Sequence, residues 1–299
     1  MGYSLILTPQ QVNNLVIKFS EYQIPATNNY TLFQAKFNTC TITIYKTNTL
    51  LIQGKNEETL YNQLCEEFNI PFKIKVSPSN SNPLNYTIQS LIGTDEVGTG
   101  DFFGGIIVAG AFVSKDKISL VKKLGVKDSK ELTDNKINEI APQLMKLIPY
   151  AVFKLDCLKF NFLSIQRKYN MNQIKALLHN TVINAMKQKI KNYDGIVIDA
   201  FTTSSNYFNY LKNEKNVAKD VILEEKAENK YLSVACASII ARHQFLKMMD
   251  ELSDLVGFEL PKGAGKPVDT AIKKIYLENG LNGFKNIAKI KFKNLDIYR

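Results

Sequence analysis

The sequence predicts an α/β fold for most of the 299 residues, preceded by a small α+β domain. From Gln89 onward, short apolar strands alternate with amphipathic helices, the pattern of a sheet covered by helices. Residues 77–85, SPSNSNPLN, favour turns and separate this region from an earlier strand and helix pattern. We therefore predict domains at 1–76 and 89–299, joined by a linker at 77–88.

The first 76 residues have the pattern β-α-β-β-β-α. Thr8 suits the N-cap of the first helix and Pro9 its first helical position. The predicted strands are Tyr3–Leu7, Thr31–Phe37, Thr41–Tyr45 and Leu50–Gln53, and the second helix is Glu57–Phe68.

In the larger region, the first two strands are joined by a short glycine-rich segment and are predicted to pair as a hairpin. The later strands alternate with helices, which predicts parallel additions to the sheet. The predicted strands are Gln89–Glu96, Gly104–Val113, Ala151–Asp156, Gly195–Asp199 and Val221–Glu224. The predicted helices lie near Asp134–Leu147, Asn172–Lys187, Leu232–Asp250 and Asp269–Glu278.

The formal net charge of +10 favours a polyanionic partner, either nucleic acid or an anionic membrane, although ordinary solubility charge is the alternative. Residues 1–85 carry six lysines and five acids, so the larger region carries a net charge of +9. The longest apolar run, Gly104–Val113, is too short to span a bilayer, and the N-terminus lacks a signal-peptide pattern. The cysteines form no CxxC pair, so we expect reduced thiols in a cytoplasmic protein.

Four acidic residues occupy strand ends or a position before a helix, where a catalytic or metal-binding site is expected. Asp95 and Glu96 end an apolar strand directly before a glycine turn, whose backbone N–H groups can bind a phosphate or a ribose hydroxyl. Asp199 ends another apolar strand, and Glu228 precedes a helix that begins with small residues. Taken singly, each acid also fits a hairpin rim, a strand end or a helix cap.

Together, the four acids suit a site for two divalent cations. Hard ions such as Mg²⁺ prefer carboxylate oxygens, and two of them can activate water and stabilise the departing oxygen of a phosphodiester. Only His179 and His243 are present and no HExxH pair occurs, which argues against a zinc hydrolase.

The motifs resemble those of ribonuclease HIII, a branch of the type 2 ribonucleases H. Residues 93–104, GTDEVGTGDFFG, resemble the first motif of that family, and further matches follow in family order at 125–132, 169–180, 197–199 and 228–242. The turn Gly98-Thr99-Gly100, in place of Gly-Arg-Gly, and Glu228, in place of Asp, favour HIII over HII. Gly105 departs from the family pattern, which commonly has Pro; we expect a loosened strand start there.

The resemblance implies a ribonuclease H-like mixed sheet flanked by helices, with an N-terminal domain similar to half of the TATA-binding protein fold. It implies an endonuclease that hydrolyses the RNA strand of RNA–DNA hybrids with two Mg²⁺ or Mn²⁺ ions per site, leaving 5′-phosphate and 3′-hydroxyl ends. The N-terminal domain would add hybrid-binding surface. We expect a monomer with no membrane partner.

The resemblance also implies roles for individual residues. Metal binding is expected from Asp95, Glu96, Asp199 and Glu228. The Gly98, Thr99 and Gly100 backbone would contact ribose 2′-hydroxyls. Phosphate contact or support of the site is expected from Lys127, Lys130, Asn172 and Arg242; for each lysine, a solvated surface charge is the alternative. His179 is expected to be a packed helix residue.

Two other functions remain open at this point. The segment from Gly98 to Gly105 also resembles the glycine turn of ribokinase-like sugar kinases, in which Asp101 would be the base. That turn normally comes late in the chain and opens a helix, whereas here a strand follows it early. A non-catalytic nucleic-acid-binding protein is the second alternative, and the intact set of four acids argues against it.

Overall fold

The computed structural model describes residues 2–26, 30–68, 89–126 and 132–298. The chain divides into two compact units, residues 1–81 and 82–299. The predicted linker at 77–88 lies outside the described residues, as do Lys127 and Lys130.

The smaller unit is an antiparallel sheet of four described strands in the order β1-β4-β3-β2, covered by two helices. Thr8 caps the first helix by accepting the N–H of Gln11, and the Gln11 side chain accepts the N–H of Thr8 in return, as expected for a capping box. The elements are β1 (Gly2–Ile6), α1 (Pro9–Lys18), β2 (Thr31–Phe37), β3 (Cys40–Tyr45), β4 (Thr49–Gly54) and α2 (Glu57–Glu67).

The larger unit contains a mixed sheet of five described strands in the order β7-β6-β5-β8-β9. Its strands are β5 (Leu91–Val97), β6 (Ile106–Val113), β7 (Tyr150–Leu155), β8 (Gly195–Asp199) and β9 (Val221–Glu224). Its helices are α3 (Ile118–Lys123), α4 (Asp134–Leu147), α5 (Cys157–Asn161), α6 (Met171–Lys189), α7 (Ser204–Tyr210), α8 (Leu232–Val256) and α9 (Lys266–Asn279).

The pairing of the strands confirms the predicted hairpin of β5 and β6 and the parallel addition of β8 and β9. The prediction was wrong for β7, which is antiparallel to β6. Tyr150 at the start of β7 lies opposite Ala111 near the end of β6, so the segment with α3 and α4 returns to the end of the sheet from which it left. The short helices α3, α5 and α7 were not predicted, because five to seven residues span too few turns to show a helical period.

The strand register brings two of the acids together. Because β5 and β8 are parallel with Thr94 opposite Ile198, the residues that follow, Asp95 and Asp199, lie at the same edge of the sheet. Asp199 in turn pairs with Glu224 of β9, four residues before Glu228.

The sheet lies between two helical layers. Helix α8 packs on one face together with α4 and α9, and α6 packs on the other. Gly93 lets α8 approach β5 closely, since a Cβ there would lie 2.3 Å from the backbone nitrogen of Val234. The small residues at the start of α8 therefore serve a close contact between helix and sheet.

The described cysteines, all four of the sequence, are free and buried, as predicted for reduced thiols. In the part of the chain that the structure describes, the helices are too short or too polar to cross a membrane.

Candidate active site

A cavity of about 560 Å³ opens where β5 and β8 end. It combines three of the predicted acids, the glycine turn and a cation from α8. Its lining residues are Asp95, Glu96, Val97, Gly98, Thr99, Gly100, Asp101, Leu132, Asp134, Asp199, Ser238 and Arg242.

Asp95 is buried and faces α8. Its Oδ1 accepts the backbone N–H of Glu96 at 2.7 Å, and the Ser238 hydroxyl also bonds its carboxylate. Burial, followed by the negative charges of Glu96 and Asp199, raises the pKa of Asp95 to about 8, and the hydrogen bonds offset only part of this effect. Asp95 is therefore a carboxyl group crowded by like charge.

Glu96 has the opposite electrostatic environment, because successive residues of a strand face opposite sides of the sheet. Its Oε1 lies 2.5 Å from Lys175 Nζ and its Oε2 lies 2.9 Å from His179 Nε2, both on α6. Burial opposes ionisation, but the hydrogen bond from His179 and the charge of Lys175 outweigh it and lower the pKa of Glu96. Glu96 is held as a carboxylate.

Asp199 and Glu228 form the second half of the acid cluster. The Ala227 N–H donates to Asp199 Oδ1 at 2.9 Å, which fixes the turn carrying Glu228 against the end of β8. Burial raises the pKa of Asp199 to about 6, with contributions from the charge of Glu228 and from the hydrogen bond between the two side chains. Glu228 is itself buried. The structure thus links all four predicted acids in the order Glu96, Asp95, Asp199, Glu228.

The donor set fits a hard divalent cation. Every candidate ligand is a carboxylate oxygen, and the raised pKa values of Asp95 and Asp199 reflect burial and, after it, like-charge repulsion, both of which a cation would offset. Among the described residues, no three His, Cys, Asp or Glu side chains already stand in coordination geometry. The four acids therefore lie near one another, but their side chains are not arranged as ligands around a single ion.

Gly98 and Gly100 of the glycine turn differ in whether the fold itself requires glycine. Gly98 has φ +100° and a Cβ there would lie 2.4 Å from the Gly105 carbonyl oxygen, so the fold itself requires glycine. Gly100 has an ordinary φ and nothing lies within 4 Å of the Cβ position. A side chain at Gly100 would instead occupy space beside the cavity, where a ligand backbone could approach.

Arg242 lines the cavity in an ion pair. Its guanidinium lies 3.1 Å from Asp134 Oδ1, and Lys262 binds the other oxygen of the same carboxylate. Asn172 lies in the first turn of α6 and is not among the residues that line the cavity. Asp101 accepts the Gly263 N–H at 2.6 Å, so its carboxylate joins the turn to the segment before α9.

Sequence reasoning missed several residues of this site. His179 is fully buried, as a packed residue would be, but it also bonds Glu96. Lys175 lies one helical turn before it, and this i, i+4 spacing of two basic groups was the available signal. Ser238 and Asp134 also line the cavity, although the sequence pattern indicated only a stretch of small residues at the start of the helix after Glu228 and only the start of a helix at Asp134.

Comparisons with known proteins define the class. A family model described as "Ribonuclease HII" matches residues 92–295, and a second, described as "Domain of unknown function (DUF3378)", matches residues 4–68. The first match covers most of the larger unit and its mixed sheet. The class is therefore that of the type 2 ribonucleases H, which are endonucleases.

The similar proteins specify the branch. Ribonuclease HIII of Streptococcus mutans is 42% identical over 98% of this chain and 95% of its own length, and ribonuclease HIII of Phytoplasma mali is 41% identical over 90% and 87%. The crystal structure of Bst-RNase HIII in complex with Mn²⁺ is 34% identical, with TM-score 0.69, covering 99% of this chain and 97% of that one. The structure of Aquifex aeolicus RNase H3 matches with TM-score 0.56 at 25% identity, covering 97% and 100%. The chain belongs to the ribonuclease HIII family.

Proposed function

We propose that this ribonuclease H hydrolyses the RNA strand of RNA–DNA hybrids, with Asp95, Glu96, Asp199 and Glu228 holding two divalent ions. The observation that carries the proposal is that Asp95, Glu96 and Asp199 line one cavity beside a glycine turn and an arginine, with Glu228 hydrogen-bonded to Asp199. The Mn²⁺ complex of Bst-RNase HIII supports a divalent cation. The products would carry 5′-phosphate and 3′-hydroxyl ends.

Bound ions would supply Lewis-acid charge to the scissile phosphate and its attacking water. The residues of the chain prepare that chemistry in different ways. Asp95 has both Glu96 and Asp199 as charged neighbours and would hold an ion together with either of them. Glu96 contributes a carboxylate that is already ionised. The Ala227 N–H holds Asp199 beside Glu228.

Substrate recognition would use the glycine turn and the arginine that lie beside the acids in the same cavity. The open space at Gly100 allows close approach of a ribose, and the exposed backbone of the turn can bond a 2′-hydroxyl, the group that distinguishes RNA from DNA. Arg242 and Lys262, both paired to Asp134, would meet phosphates. The sheet of the smaller unit would add hybrid-binding surface, and we propose that the enzyme acts as a cytoplasmic monomer.

Replacing Asp95 by Asn tests the proposal, because the amide keeps the shape of the side chain but removes its charge. We expect Asp95→Asn to abolish metal-dependent cleavage of a labelled hybrid while leaving hybrid affinity largely unchanged. Thr181→Val, on an exposed position of α6, serves as a control that should keep full activity. Turnover by Asp95→Asn at the wild-type rate would refute the metal assignment. A wild-type protein that binds hybrid without cutting it would support the non-catalytic alternative.

A further inference from the structure

Both carboxylate oxygens of Glu96 are engaged by α6. Lys175 Nζ contacts Oε1 and His179 Nε2 contacts Oε2, and the side chains of Glu96 and Lys175 are only 12% and 11% exposed. These contacts therefore lie in a shielded environment, where they hold Glu96 in one orientation. A carboxylate oxygen has two acceptor positions, so each oxygen keeps one for a metal ion.

His179 is itself fixed in orientation. Its Nδ1 lies 2.8 Å from the Thr94 hydroxyl, on the same face of β5 as Glu96. Since a carboxylate only accepts hydrogen bonds, Nε2 carries the proton toward Glu96, and in the neutral imidazole Nδ1 then accepts from Thr94. Thr94 thus selects the tautomer that bonds Glu96.

Phe201 covers the partners of Glu96. Its ring stacks on His179 at 5.2 Å between centroids, and Lys175 Nζ lies 4.3 Å from its centroid. Because Phe201 follows Asp199 by two residues, the end of β8 is packed onto the same group that holds Glu96. The orientation of one acid is therefore coupled to the strand end that presents another.

We propose that His179 is a positioning residue for Glu96, with Thr94 and Phe201 fixing the imidazole that presents the carboxylate to the metal site. This inference rests on the proposed function. Hydrogen bonds to a ligating side chain orient it, and their removal weakens metal affinity by roughly 10- to 100-fold. His179 acts through Glu96 and does not touch the reacting atoms.

The test measures Mn²⁺ binding to the full chain by titration calorimetry without substrate. His179→Ala should raise the Mn²⁺ dissociation constant by roughly 10- to 100-fold. His179→Gln, which keeps an N–H near the position of Nε2, should restore most of the affinity. Thr94→Val, which removes only the hydroxyl, should weaken binding in the same direction and tests the inference even if His179→Ala does not fold.

His243 provides a matched control, because it is also a buried helix histidine with one side-chain hydrogen bond, to Asn138. His243→Ala should lower stability without changing Mn²⁺ affinity. If wild-type protein binds Mn²⁺ and Asp95→Asn does not, but the His179 and Thr94 variants bind it as wild type does, the positioning role is overturned while the proposed function stands. If Asp95→Asn binds Mn²⁺ as tightly as wild type, the proposed function fails first.

Discussion

Asp95 and Glu96 are neighbours in sequence, yet their carboxyl groups meet opposite conditions. Asp95 faces α8 and the other acids, whereas Glu96 faces a lysine and a histidine of α6. The alternation of side chains along β5 produces this difference. One strand end thus offers a carboxyl group that resists ionisation and a carboxylate that is already charged.

This difference predicts a pH dependence of metal binding. In the metal-free protein, the pKa of Asp95 is raised to about 8 and that of Asp199 to about 6, so Asp95 is mostly protonated at neutral pH. A metal ion requires the ionised forms, so binding must release protons. We expect Mn²⁺ affinity to rise between pH 6 and pH 8 and to level off above it. Calorimetry in two buffers of different ionisation enthalpy measures the number of protons released when Mn²⁺ binds. A Mn²⁺ affinity that does not change with pH would contradict the raised pKa values of Asp95 and Asp199.

The glycine turn supports a paired prediction. Gly100→Ala should leave the free energy of unfolding unchanged or raise it by less than about 1 kcal/mol, since its Cβ meets no atom. It should still lower kcat/KM on a hybrid by about tenfold, or 1.4 kcal/mol, because the methyl group obstructs the ribose. Gly98→Ala should destabilise the fold by about 1–3 kcal/mol, since φ is positive there. Undiminished kcat/KM in Gly100→Ala would contradict the proposed contact of this turn with substrate.

Among individual residues, the sequence could single out the four acids as candidates, because each ends an apolar strand or precedes a helix. It could not identify the partners of Glu96. The i, i+4 spacing places Lys175 and His179 on one face of α6. Which acid they face depends on how the helix is rotated against the sheet, and the helical period does not encode that rotation.

At the scale of elements, the close approach of β6 and β7 explains Gly105. A Cβ on Gly105 would lie 1.8 Å from the Leu155 carbonyl oxygen, so any other residue, including the Pro of the family pattern, needs β7 to move. Fully buried Lys289 also donates to the carbonyls of Gly104 and Gly105. The expectation of a loosened strand start is therefore wrong, because glycine permits a tight one.

Gly105→Ala should lower the free energy of unfolding by about 1–3 kcal/mol, the usual effect of overpacking. Gly195→Ala is the matched control at another strand start, where the Cβ would meet only Leu91 at 3.3 Å, and it should change stability much less. Urea unfolding of both variants measures the difference. Equal stabilities would show that β7 moves aside freely.

The direction of β7 illustrates what element patterns leave open. Helices between two strands favoured a parallel connection, but the contacts that decide the pairing of β6 and β7 are long-range. By contrast, the hairpin of β5 and β6 follows from a short glycine-rich connection and was predictable.

On the scale of the whole molecule, the strand order creates the site. Acids from positions 95 to 228 meet only because β8 pairs with β5 and β9 with β8. The sequence predicted the fold class and singled out the four acids as candidates, but no local pattern encodes this order, which depends on packing across the entire sheet. The surplus positive charge of residues 86–299 favours a polyanionic partner for this part of the chain.

Anomalous scattering from a crystal soaked in Mn²⁺ would show directly whether the four acids bind metal ions. The proposed function predicts two Mn²⁺ peaks in the cavity, with oxygens of Asp95, Glu96, Asp199 and Glu228 within about 2.5 Å of the ions. Ions bound only elsewhere, or an ion beside Asp95 with Asp199 and Glu228 both beyond coordination distance, would contradict it.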